Sequence, residues 1–299
     1  MDLERLQSRS EIIKSIRAFF DERSYLEVDT PLMAPDLIPE SCLEVFQTEY
    51  LPPGTTRENW KEKAQERWLI PSPEIWLKKL IAKYSADGRE CPSLYEICHC
   101  FRNVESQGYQ HSPEFTMLEY YTMDADYLDS LSITEALLQS LTVKFPRAAS
   151  FFPIEKIPMQ EAFARWAGGV PYDDVTFIDR VEPNLPKDHA VVLIDYPVSV
   201  PCLAKKNTDG RSYQRWEMYI NGVELCNCYS EEDDPEEIRQ FFRKEAKEKQ
   251  KNALVRHKID ENYWKIFHTF PKCSGVAMGL DRLAMALLGC KTIEGVLIT

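Results

Sequence analysis

The sequence predicts an α+β fold in which an antiparallel sheet is flanked by helices in one domain. Three observations support this prediction. Strand-like hairpins and helix-like apolar stripes alternate along the chain, and the turn Asn221-Gly222 separates two alternating segments, which is a strong hairpin signal. In addition, 44% of the 299 residues are hydrophobic, enough for a sizeable core, and the chain has no internal repeat.

The N-terminal part begins with a predicted helix over residues 10–23, capped by Ser10. Its apolar residues recur at helical spacing and form one stripe: Ile12, Ile13, Ile16, Phe19 and Phe20. Residues 26–29 then alternate like a strand and stop at Thr30-Pro31. We expect residues 51–68, which are rich in charge, to form an exposed loop or a short helical insertion.

A second helix should start at Pro73-Glu74, with proline in the first turn. Its inward side chains are Ile75, Leu77, Leu80 and Ile81. Strand-like runs at residues 94–102 and 114–121 enclose a polar stretch and predict a long hairpin. The elements predicted after that hairpin are helices over 124–142 and 158–168, a buried strand over 191–194, a hairpin of 215–220 with 222–229, a charged helix over 235–250, and a strand, turn and helix over 272–289.

The charge balance disfavours a nucleic-acid partner. Asp and Glu number 48 against 36 Lys and Arg, a net charge of −12, and such a chain is repelled by polyanions at long range. The nine cysteines lack the C-x-x-C spacing of zinc sites, and we expect most of them to be buried, reduced thiols. The N-terminus has no apolar stretch and no run is long enough to span a bilayer, so we expect a cytoplasmic protein without a membrane partner.

Common nucleotide-binding and hydrolase motifs, such as G-x-x-x-x-G-K-[ST] and G-x-S-x-G, are absent from the sequence. Polar residues concentrate instead in four strand-like segments. Arg102 lies where the first strand of the long hairpin ends, and Arg282 lies in the C-terminal strand–helix segment. A guanidinium group binds phosphate oxygens with two hydrogen bonds, so both are candidate phosphate ligands; structural ion pairs are the alternative.

Carboxylates cluster around the Asn-Gly hairpin. Glu217 and Glu224 are expected on adjacent antiparallel strands, roughly opposite each other, where they could share Mg²⁺ with phosphate oxygens. An ordinary exposed hairpin face explains them equally well. Glu231 is a candidate ligand for a substrate ammonium, or else the start of the acidic run 231–234.

Other residues in these segments have a functional and a structural interpretation. Phe115 could stack on a base or belong to the core, and His111 could contact a phosphate or be solvated. Gly275 and Gly279 allow close approach of a ligand, or tight packing of a helix on a strand.

Together these segments resemble the catalytic core of the class II aminoacyl-tRNA synthetases, in particular the lysine branch, over nearly the whole chain. Residues 11–31 resemble the first class II motif, which builds the dimer interface, and residues 101–115 resemble the second, a strand–loop–strand. Gly279-Leu280-Asp281-Arg282 resembles the third. Residues 72–74 resemble the amino-acid-recognition segment, and residues 215–231 resemble the hairpin that binds metal and lysine.

The resemblance implies a role for each matching residue. The implied ATP ligands are Arg102, Glu105, His111, Phe115, Glu224 and Arg282, of which Arg102 and Arg282 are catalytic through the α- and γ-phosphates. The implied amino-acid ligands are Glu74, Tyr121, Asn227, Glu231 and Gly275. The implied metal ligands, for Mg²⁺, are Glu217 and Glu224. A carboxylate at Glu231 suits a lysine-like ammonium and repels aspartate.

The core begins at about residue 10, which leaves no room for the OB-fold that reads the anticodon in lysyl-tRNA synthetases. We therefore expect residues 1–299 to form a single catalytic domain without an anticodon-binding domain. The chain is similar in this respect to short lysyl-tRNA synthetase paralogues that attach β-lysine to a lysine of elongation factor P. That likeness implies ATP-dependent activation of lysine or β-lysine, elongation factor P as acceptor rather than tRNA, and a homodimer.

The chain departs from the family pattern at a few positions. Val104 stands where the family has Glu, and we expect Glu105 to shift into that place. Cys226 and Cys228 replace two small residues, and we expect Cys226 to narrow the amino-acid pocket. Two alternatives remain open: a synthetase-like enzyme that acylates tRNA or another acceptor, and a non-catalytic class II relative.

Overall fold

A computed structural model describes residues 2–104 and 108–297. Its strands are β1 (Leu26–Glu27), β2 (Met33–Ala34), β3 (Gln47–Tyr50), β4 (Gln65–Leu69), β5 (Leu94–Phe101), β6 (Glu114–Met123), β7 (Glu155–Pro158), β8 (Val191–Pro197), β9 (Ser212–Ile220), β10 (Val223–Ser230) and β11 (Cys273–Gly279). Its α-helices are α1 (Leu3–Asp21), α2 (Trp60–Lys63), α3 (Glu74–Ala86), α4 (Tyr127–Leu141), α5 (Met159–Trp166), α6 (Asp174–Thr176), α7 (Pro235–Asn252) and α8 (Leu280–Leu288). Shorter 3₁₀ segments include Pro146–Phe151 and Tyr263–Thr269.

The main sheet has eight strands in the order β1-β5-β6-β11-β10-β9-β8-β7. Its neighbours are antiparallel except at the two ends, where β1 pairs with β5 and β7 with β8 in parallel. A small second sheet has the order β2-β4-β3. The predicted antiparallel sheet flanked by helices is therefore confirmed.

Helix α1 starts earlier than predicted. The Asp2 side chain accepts a hydrogen bond from the Arg5 N–H (2.9 Å) and caps the helix, so the prediction that Ser10 is the cap was wrong. The predicted apolar stripe is confirmed, because Ile12, Ile16, Phe19 and Phe20 are buried. The region 51–68, which was expected to be exposed, also contains most of β4. Trp68, on this strand, is buried.

The two hairpins that frame the central strands were predicted correctly. β5 and β6 pair from Leu94 with Tyr121 to Phe101 with Glu114. Asn221 and Gly222 both adopt left-handed backbone angles (φ 56° and 76°) between β9 and β10, as the predicted turn requires. A bulge between Glu224 and Cys226 then shifts the β9–β10 register.

Strand alternation gives the central strands two different faces. On one face, Leu118, Cys226, Cys228, Val276 and Met278 enter the main hydrophobic core beneath α1, α4 and α8. On the other face the intervening residues form two rows: Glu119, Ala277 and Asn227, and then Tyr121, Gly275 and Tyr229. This second face forms the floor of a cleft.

None of the helices in the described part of the chain is long and apolar enough to cross a bilayer. All nine cysteines lie in the described ranges, and none forms a disulfide. Most of them are buried, as predicted.

Candidate active site

Two adjoining cavities occupy the open face of the sheet. The first, of about 150 Å³, is lined by the predicted ATP ligands Arg102, His111, Phe115, Glu224 and Arg282. The second, of about 420 Å³, is lined by the predicted amino-acid ligands Glu74, Tyr121, Asn227, Glu231 and Gly275. Arg102 and Asn227 line both cavities. The structure therefore brings the two predicted ligand sets together at a shared boundary.

Arg102 lies at that boundary. Its guanidinium carbon is 5.2 Å from the centre of the Phe115 ring, and its backbone N–H donates to the Pro113 carbonyl (3.0 Å). Its buried Nε atom has no hydrogen-bond partner among the residues the structure describes. An unpaired buried donor between two cavities fits an anion that extends from one cavity into the other.

Arg282 lies in the first turn of α8 and lines the first cavity. Its Nη1 atom donates to the Glu224 carbonyl (2.8 Å), and its side chain remains partly exposed to the cleft. The neighbouring Asp281 is buried and accepts hydrogen bonds from the Arg9 guanidinium and the Thr116 N–H, both at 2.6 Å. These contacts fix the start of α8 against β6. Sequence reasoning did not assign this role to Asp281 or Arg9, because the contacts join distant parts of the chain.

The predicted Mg²⁺ ligands are not directly opposite each other. The bulge at Leu225 pairs Glu224 with Tyr219 and leaves Glu217 paired with Asn227. Glu224 presents a side chain that is 42% exposed to the cleft. Glu217 is buried, and its oxygens accept hydrogen bonds from Tyr196 (2.6 Å), Tyr219 (2.7 Å) and Arg215.

These surroundings give the two carboxyl groups opposite pKa shifts. Partial burial in the wall of the cleft and the nearby Glu217 charge raise the pKa of Glu224. Burial opposes ionisation of Glu217, but Arg215 and the two tyrosine hydroxyls outweigh it and lower its pKa. No group of three or more His, Cys, Asp or Glu side chains that could hold a metal ion occurs within residues 2–104 and 108–297. Glu217 already contacts Arg215, and the assignment of Glu217 and Glu224 as Mg²⁺ ligands stays a prediction.

The closed end of the second cavity contains a buried ion-pair cluster. Lys78 of α3 places its ammonium 2.6 Å from Glu74 Oε1 and 2.7 Å from Glu231 Oε2. Gly275 lies against this cluster, since a Cβ atom there would be 2.5 Å from Glu231 Oε1 and 2.7 Å from Tyr121 Cε1. Burial raises the pKa of Glu231 to about 7, against the opposing effect of Lys78.

Glu119 and Asn227 each have a buried oxygen atom without a hydrogen-bond partner among the described residues. Of the two, only Asn227 was predicted from the sequence as a ligand. Glu119 is buried on β6 and accepts from the Tyr121 hydroxyl (2.9 Å) through Oε1, and burial raises its pKa well above the usual range. Glu119 Oε2 and Asn227 Oδ1 have no hydrogen-bond partner in the described part of the chain. Glu119 lies two positions before the predicted Tyr121, so strand alternation placed both on one face.

The prediction that Cys226 narrows the amino-acid pocket was wrong. Cys226 and Cys228 are each 1% exposed and belong to the hydrophobic core on the other face of the sheet. The side chains of Asn227 and Glu231, which have the opposite parity on the same segment, line the pocket instead. The Leu225 bulge and strand alternation together decide which face each residue occupies.

Val104, which stands where the family pattern has Glu, is the last described residue before the gap at 105–107. Val104 has a left-handed backbone (φ 56°), which is rare for a β-branched residue, and it is exposed. Its N–H donates to Asn103 Oδ1 (3.0 Å). Glu105 lies outside the described residues, so its role toward ATP stays a prediction.

Residues 3–298 match the family model of the tRNA synthetases class II (D, K and N). The chain belongs to this family. The match confirms the predicted class II relationship, and class II synthetases are ligases that activate an amino acid with ATP and generally use Mg²⁺. The assignment of one cavity to a nucleotide and the other to an amino acid stays a prediction.

Proposed function

We propose that this protein activates lysine or β-lysine as the aminoacyl-adenylate and transfers it to a lysine of elongation factor P. The identity of the amino acid is proposed from the buried carboxylate of Glu231 in the second cavity. Glu231 is buried there and already contacts one ammonium, that of Lys78. A buried carboxylate at this point attracts a cationic side chain and repels the carboxylate of aspartate.

In the first step, a carboxylate oxygen of the amino acid attacks the α-phosphorus of ATP. A new P–O bond forms and the bond to the pyrophosphate breaks. Arg102, which lines both cavities, would bind the α-phosphate and orient the incoming carboxylate. Arg282, which lines the first cavity, would bind the distal phosphates. Mg²⁺, when held by Glu224 and the phosphates, would neutralise charge on the pyrophosphate.

In the second step, an acceptor amine attacks the carbonyl carbon of the adenylate, the bond to AMP breaks, and the amine releases a proton to solvent. Positioning and electrostatics supply the catalysis, and no covalent enzyme intermediate is needed. The proposal of elongation factor P is supported by the resemblance described above. The net charge of −12 also disfavours a polyanionic acceptor such as tRNA.

An acceptor competition tests this proposal. The protein is incubated with ATP, Mg²⁺ and labelled lysine or β-lysine, with tRNA and elongation factor P offered together. Label on elongation factor P would support the proposed acceptor, and label on tRNA would support a synthetase-like enzyme instead. Label on neither, without amino-acid-dependent pyrophosphate exchange, would favour a non-catalytic relative.

A further inference from the structure

A protein ammonium lies between the carboxylates of two predicted amino-acid ligands, Glu74 and Glu231. Lys78 is 1% exposed, and its Nζ atom contacts both Glu74 and Glu231. Glu74 comes from the same helix, whereas Glu231 follows β10. Lys78 therefore connects α3 to the residue that follows β10, within the second cavity.

The surroundings of Lys78 are predominantly acidic. The titratable groups that interact with it electrostatically come from several elements and are Glu40, Glu74, Glu119, Glu231, Tyr263 and Cys273. Burial alone would favour a neutral amine, but Glu231 and Glu74 raise the pKa of Lys78 well above its usual value. Lys78 consequently remains an ammonium and, in turn, favours the ionised form of Glu231.

We propose that Lys78 is a specificity-determining positioning residue, which orients Glu231 toward the side-chain ammonium of the substrate and favours its ionised form. This inference rests on the proposed function, because it assumes that the pocket binds a lysine-like amino acid. Without Lys78, a buried Glu231 would stay protonated to a higher pH and would be largely neutral at pH 7. A protonated Glu231 would no longer distinguish a cationic side chain from a neutral one of the same shape.

The test compares Lys78→Met with Lys79→Met in the full chain. Lys79 is the next residue of α3, but its side chain is 29% exposed and pairs with Asp36 and Asp260 outside the cluster. Amino-acid-dependent pyrophosphate exchange is measured from pH 6 to 9 with lysine and with norleucine, which replaces the ammonium by a methyl group. Because Lys78→Met leaves buried charge uncompensated, Glu74→Gln/Lys78→Met is measured alongside it as a charge-balanced variant.

In Lys78→Met we expect the pH at which the lysine KM falls to move upward by about one unit or more. Selectivity for lysine over norleucine at pH 7 should decrease by about tenfold or more, while the KM for ATP stays unchanged. Lys79→Met should match the unmodified protein. If a folded variant keeps both its pH midpoint and its selectivity, the proposal is overturned. If the unmodified protein shows no lysine-dependent exchange, the proposed function itself fails.

Discussion

At Glu231, burial and charge pairing act in opposite directions. Burial raises the pKa of this carboxyl to about 7, even though Lys78 favours ionisation. In the free enzyme the group is therefore partly protonated at neutral pH. A substrate ammonium binds the ionised form, so binding and deprotonation of Glu231 are linked.

We predict that the KM for lysine falls as the pH rises through about 7 and is constant above that range. Glu231→Gln should remove this dependence and raise the KM by about thirtyfold or more, since truncating a buried charge partner costs about 2–5 kcal/mol. Glu40 is the matched control, because its pKa is also raised to about 7 by burial. A Glu40→Gln variant that lost the pH dependence would instead assign it to Glu40.

Arg282 provides a second prediction for a single residue. Arg282→Ala should lower lysine-dependent pyrophosphate exchange by about a hundredfold or more, because a preorganised charge on the phosphates is lost. The side chain is partly exposed, so thermal unfolding followed by circular dichroism should change little. Arg165→Ala, at a surface ion pair with Glu155 and Glu161, serves as the control. Unchanged exchange in Arg282→Ala would exclude the phosphate role.

At the level of elements, strand periodicity and turn residues predicted most of the central sheet. The hairpins β5–β6 and β9–β10 follow from alternating segments and from Asn221-Gly222. The Leu225 bulge was not predictable from periodicity, and it accounts for the displaced pairing of Glu217. The buried Lys78 was also missed, because helical spacing gives the inward face of α3 but not the distant Glu231 that neutralises a lysine there.

Strand β11 supplies a prediction about close packing. Gly275→Ala would place a Cβ atom 2.5 Å from Glu231 Oε1 and 2.7 Å from Tyr121 Cε1, so these side chains must move away from the pocket. We expect the lysine KM to rise by about tenfold and the ATP KM to stay unchanged. Gly279→Ala is the control on the same strand, because the nearest neighbour of its Cβ would be at 3.4 Å. Equal effects of the two variants on the lysine KM would contradict this explanation.

At the level of the whole molecule, the sheet collects site residues from distant segments. Glu74, Arg102, Glu231 and Arg282 lie far apart in the sequence but line two adjoining cavities. The resemblance predicted this set because it identified the motifs together, whereas Arg102, Glu231 and Arg282 taken singly each had a structural explanation as well. The ion pair between Arg9 and Asp281 could not be predicted from any motif, because the two residues lie far apart in the sequence.

The homodimer stays a prediction, and the outer end of the main sheet is where it can be tested. Within residues 2–104 and 108–297, β1 pairs only with β5, and Leu26, Leu32 and Met33 on the same segment are exposed. An unpaired edge beside exposed apolar side chains is typical of an interface. We predict that sedimentation equilibrium gives twice the chain mass of 34.8 kDa.

The double variant Leu26→Lys/Leu32→Lys should shift the mass toward that of one chain, because buried lysines would disfavour association. Leu254→Lys is the control, since Leu254 is 76% exposed and lies after α7, remote in sequence from this edge. A mass of one chain for the unmodified protein at micromolar concentration would rule out the homodimer. An unchanged dimer in the double variant would place the interface elsewhere on the molecule.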